Sequence, residues 1–112
     1  MRTLIIIALA VLASEAQAQG LLPPKEYDRP YKGELELIRA RDQAEVRARC
    51  DQRINFGKHA IACASAWPRL NQCRIIMLSD EDIVALGYDP VVVMRHEIGH
   101  CNGWSSLHTG AR

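Results

Sequence analysis

The chain has 112 residues, with 14 Lys plus Arg against 13 Asp plus Glu and a net charge of +1. That length leaves room for one domain and excludes a multidomain assembly. The balanced charge gives no electrostatic footprint for nucleic acid or for an anionic membrane surface.

In chain order, the first signal is a leader. Arg2 precedes the apolar run LIIIALAVLA at 4–13, and AQA at 16–18 supplies the small-x-small pattern of a cleavage site. The pattern predicts a signal peptide over 1–18, cut before Gln19, and a secreted or periplasmic protein with no membrane association after cleavage. The remaining 94 residues (112 less 18) carry all four cysteines, and a monomer is expected. Residues 19–32, QGLLPPKEYDRPYK, hold three prolines and no periodicity, and predict an irregular arm laid over the domain.

From Gly33 to about Ile54 the sequence is rich in helix formers and free of proline, which predicts one long helix. Its arginines, Arg39 to Arg53, alternate with Glu34, Glu36, Asp42, Glu45 and Asp51, the signature of a solvated, ion-paired face. A turn follows at 55–57. Two short strands are expected at 59–67 and 73–78, pairing antiparallel across PRLNQ. Ser79 with Asp82 starts a short helix that stops at Gly87. Asp89 and Pro90 then open a last helix, which Gly103 ends, although three successive valines leave open a start nearer Met94. These elements define a small single α+β domain: an N-terminal helix, a short antiparallel sheet and a C-terminal helix.

Four cysteines in a short exported chain imply two disulfides, with three connectivities open. The predicted hairpin favours Cys63–Cys73, which leaves Cys50–Cys101. Trp67 and Trp104 read as core packing, and Tyr88 as structural.

The last helix carries the chemistry. His96 and His100 stand four apart, so one helix face presents both imidazoles to one point, and Glu97 lies beside them. Gly99 is expected to leave space at a metal, and Gly103 to let the chain turn back. Zn2+ held this way lowers the pKa of its water towards about 7 and polarises a carbonyl, with Glu97 as general base. For a third ligand His108 is favoured over His59, Glu81 and Asp82, because it follows a glycine turn closely. Ser106 is a candidate outer partner, and Cys101 points about 100° away from the metal face.

The stretch HEIGHCNGW resembles the zinc helix of the zincin metallopeptidases, and the glycine three residues after the second histidine makes it metzincin-like. His96, Glu97, His100 and Gly103 match the pattern H-E-x-x-H-x-x-G-x-x-H position by position. Its third histidine falls on Ser106, with His108 two residues late, and no methionine turn follows. The resemblance covers roughly 73–108 and implies that 33–112 form a minimal zincin-like metal-binding domain. It implies a zinc-dependent hydrolase acting on a peptide or protein, cell-wall peptide stems included. The rival expectation is a non-catalytic zinc-stabilised binding module of the bacterial envelope.

Overall fold

The structure, a computed structural model, describes residues 20–50 and 59–112. The expected leader, the turn at 55–57 and the last residues of the expected long helix lie outside the described residues. Among those described, three strands form one sheet: β1 (Glu34–Ala40), β2 (Ala62–Trp67) and β3 (Gln72–Leu78). Three helices accompany it: α1 (Gln43–Arg49), α2 (Asp80–Ala85) and α3 (Pro90–Cys101). The α+β class holds.

The sheet order is β1-β3-β2, with β1 parallel and β2 antiparallel to β3. The expected β2–β3 pairing is present, joined through a 3-10 turn at Pro68–Leu70. The sheet is mixed rather than purely antiparallel, because β1 replaces the first half of the expected long helix. Glu34-Leu35-Glu36-Leu37 alternates with period two, and the central strand exploits that alternation. Arg74 on β3 donates to the Glu36 carboxylate at 2.6 Å, and Gln72 to Glu34 at 3.1 Å. Helix propensity is a weak prior that such cross-strand pairing overrides. Asp42, which breaks the apolar stripe of a 33–54 helix, is the N-cap of α1 and accepts from the Glu45 amide. Arg41, just before α1, pairs with Glu45 at 2.7 Å, in keeping with the ion-paired face expected of this segment.

The core lies on both sides of β3. Ile75, Ile76, Met77 and Leu78 are all buried, a continuous apolar run that only a central, doubly covered strand tolerates. Val46 of α1, Ile61, Ile83 of α2 and Val93 of α3 complete it. Trp67 does not belong to the core: it is 43% exposed, with the Arg74 guanidinium 5.9 Å from its ring centroid.

The disulfides are Cys50–Cys63 and Cys73–Cys101, with Cα separations of 5.9 and 5.6 Å, in place of the expected Cys63–Cys73 and Cys50–Cys101. Register explains the correction. Cys63 faces Ile76, and Cys73 faces Ala66. Positions 63 and 66 are an odd number apart, so the two cysteines point to opposite faces of the sheet. One bridge ties the end of α1 to one face; the other ties α3 to the other face. Disulfides of this kind belong to an oxidising compartment. Among the described residues no helix is long and apolar enough to cross a membrane.

Candidate metal centre

Helix α3 forms as its caps demand, from Pro90 despite the three valines. The Asp89 carboxylate accepts from the Val91 amide, and Pro90 sits where a missing N–H costs nothing. At the other end the Gly103 amide donates to the His100 carbonyl at 3.1 Å and the Trp104 amide to the Gly99 carbonyl at 3.0 Å. This is the Schellman pattern, and Gly103 at φ +104° adopts the conformation it needs. The reversal folds the following segment back over the helix. There the His108 amide donates to the Ser105 carbonyl at 2.9 Å, and His108 itself takes a φ of +59°. That conformation is uncommon for a residue other than glycine and turns the ring towards α3.

His96, His100 and His108 converge, their ligand atoms lying within 4.8 Å of one another. Nε2 of His100 is 3.3 Å from Nε2 of His96 and 3.2 Å from Nε2 of His108. The outer nitrogens decide what those short distances mean. Nδ1 of His96 donates to the Leu21 carbonyl at 2.6 Å, and Nδ1 of His100 to the Trp104 carbonyl at 2.9 Å. A carbonyl only accepts, so in the neutral rings the proton is on Nδ1 and the Nε2 lone pair faces inwards. Lone pairs aimed at one point repel unless a cation lies between them. A tetrahedral ion bonded to imidazole at about 2.0–2.1 Å holds its nitrogens about 3.3–3.4 Å apart, close to the two distances from His100. The three histidines can hold a metal ion.

Electrostatics keeps the site in its ligating state. Burial pushes the His96 imidazole down to about 4, with the other two rings adding to the effect. His100 and His108 are also held below their ordinary value, chiefly by burial. Glu97 is fully buried, neither carboxylate oxygen has a hydrogen-bond partner among the described residues, and burial pushes its pKa up to about 8. Its Oε1 lies 4.0 Å from Nε2 of His96. A buried carboxyl group without a hydrogen-bond partner costs stability, and packing alone does not account for its place beside the inward nitrogens.

Of the third-ligand candidates, His108 is the one brought to the helical pair. His59 packs edge-on to Tyr88 with centroids 6.2 Å apart, and Glu81 and Asp82 are exposed on α2. Ser106, with Ala64, His100, Trp104 and His108, lines a cavity of about 160 Å³ beside the histidines. Trp104 is buried as expected but does more than fill the core: it stacks on His100, and its indole N–H donates to the Thr109 carbonyl at 2.9 Å. Cys101 points away from the rings into its disulfide. The space at Gly99 serves a different neighbour from the one expected, since a Cβ there would stand 2.7 Å from Cβ of Pro23. The carbonyls of Leu21 and Trp104 carry no sequence signal, because any residue offers the same backbone atom.

Comparison with protein-family models, with curated proteins and with solved structures finds no match to this chain.

Proposed function

We propose that the chain is an exported zinc-dependent peptide hydrolase of the zincin type, acting as a monomer on peptide or protein substrates outside the cytoplasm. Converging neutral imidazoles suit Zn2+, and the two disulfides suit an exported protein. Zinc, when bound, supplies Lewis acidity to a carbonyl and to an attacking water. His96, His100 and His108 would hold it, beside the cavity that Ser106 and Ala64 help to line.

The observation that carries the reading is Glu97. A site that only stabilises a fold has no use for a buried carboxyl group without a hydrogen bond among the described residues. As general base, Glu97 takes a proton from the attacking water and returns it to the leaving amine. One observation favours the second reading, a zinc-stabilised binding module of the bacterial envelope: the cavity beside the histidines is small for a substrate cleft.

The test is a cleavage screen with the zinc-loaded protein, using unstructured peptides and cell-wall peptide stems. Wild-type cleavage is expected, and Glu97→Gln should keep the metal while losing roughly 10²- to 10⁴-fold in rate. Absence of cleavage across the screen, or equal rates in both forms, favours the binding module.

A further inference from the structure

The two helical histidines owe their orientation to different parts of the chain. The partner of His100 is local, since Trp104 belongs to the turn that ends α3. The partner of His96, the Leu21 carbonyl, lies 75 residues upstream in the irregular arm. Nothing covalent holds that carbonyl near the ring, so its position depends on how the arm docks.

The docking is specific and falls almost wholly on α3 and the segment after it. On either side of Leu21, the Gly20 and Leu22 amides donate to the Arg112 carbonyl at 2.6 and 3.2 Å. The Arg112 amide donates back to the Leu22 carbonyl at 2.8 Å. The Arg112 side chain donates to the Pro23 carbonyl at 2.8 Å and to the Asp28 carboxylate at 2.6 Å. Arg95, one residue before His96, also donates to Asp28, and these two arginines, the Arg95 hydrogen bond foremost, hold the Asp28 carboxyl below its ordinary range. Asn102 donates to the Tyr27 and Arg29 carbonyls at 3.0 and 2.7 Å. Pro23 is fully buried against Gly99, the one residue type that leaves room for it.

We propose that the arm over 20–32 is a positioning strap for the metal centre: Asp28, Arg95, Arg112 and the Pro23–Gly99 contact seat the Leu21 carbonyl that holds His96 in its ligating tautomer. The strap thus sets metal affinity without touching the metal. The inference rests on the metal-binding reading of the three histidines. The Cys73–Cys101 bridge anchors α3 to the sheet independently of the arm, so releasing the strap leaves the core assembled.

Gly99→Ala is the sharpest test, because alanine favours the helix while its methyl group evicts Pro23. Asp28→Asn releases the strap by a second route, at a residue remote from the packing. Three readouts apply to the full chain: amide exchange at Leu22 and Arg112, the 15N imidazole shifts of metal-free His96, and Zn2+ affinity by chelator competition. Both variants should lose amide protection, show a mixed His96 tautomer and bind Zn2+ about 10- to 100-fold more weakly, the range typical of lost outer partners. Adding Pro23→Gly to Gly99→Ala should recover part of the affinity. Released amides with wild-type affinity and an unchanged tautomer overturn the strap. Protected amides in both variants contradict the docking itself. If wild type also fails to bind Zn2+, the metal-binding reading falls and takes the strap with it, an outcome distinct from wild-type binding that the variants share.

Discussion

His100 and Trp104 lie stacked, their ring centroids 4.7 Å apart and their planes 12° from parallel, while the Trp104 carbonyl accepts from Nδ1 of the same histidine. One residue thus fixes both the tilt and the tautomer of the central ligand. Its indole N–H, bonded to the Thr109 carbonyl, also pins the segment that carries His108. Trp104→Phe keeps most of the apolar contact and removes that hydrogen bond. A buried hydrogen bond is worth about 1 kcal/mol, so Zn2+ affinity should fall roughly 5-fold. Chelator competition measures it, and an unchanged affinity would assign Trp104 to packing alone.

Gly103 makes the reversal after α3 possible. At φ +104° a side chain is strained, so Gly103→Ala should cost on the order of 1 kcal/mol or more in unfolding free energy. Because the same turn delivers Trp104 and His108, metal affinity should drop with it. Urea unfolding and metal titration on one preparation check both, and loss of stability with full affinity would separate the turn from the site.

Much of this site was legible in the sequence. The i, i+4 histidines, the capped start at Asp89 and Pro90 and the stop at Gly103 are local signals, and α3 obeys them. Elsewhere the deciding interactions are long-range. Glu34 to Ala40 becomes a strand because Gln72 to Leu78 lies alongside it, which no local window reveals. The disulfides depend on strand register, where a shift of three residues changes the face a side chain points to. The described part of the arm, 20–32, holds no helix or strand, and its prolines say nothing of the carbonyl it brings to His96.

The disulfide pairing has its own test. Non-reducing peptide mapping should return Cys50–Cys63 and Cys73–Cys101 peptides, and a Cys63–Cys73 peptide would contradict the register. In the chain-entropy account, a loop of 28 residues contributes about 3.6 kcal/mol. Cys73→Ala with Cys101→Ala should lower the unfolding free energy by about that much, a large share for a domain of this size.

Acidity acts on the metal-free protein through opposing groups. Folded Glu97, at about 8, keeps a proton that the unfolded chain releases near 4.5. The folded state therefore binds more protons across that window, and stability falls as pH rises through it, by at most about 1.4 kcal/mol per unit. The histidines work in reverse. His96 at about 4, with His100 and His108 also held low, takes up protons on unfolding below 6.5, so acidification destabilises. Above pH 6.5 the glutamate, among the described residues, sets the slope. Thermal melts in chelator should show wild type losing stability from about pH 6.5 to 8 and Glu97→Gln holding level. A level wild-type profile would mean that Glu97 is already ionised in the fold.

The measurement closest to the centre of the account is zinc stoichiometry and affinity, by native mass spectrometry and chelator competition, for wild type and His108→Ala. Three converging nitrogens predict one Zn2+ per wild-type chain and an affinity severely weakened without His108, with α3 still folded by circular dichroism. A His108→Ala protein that binds one Zn2+ as tightly as wild type would contradict the three-histidine centre, as would a folded wild type that binds none.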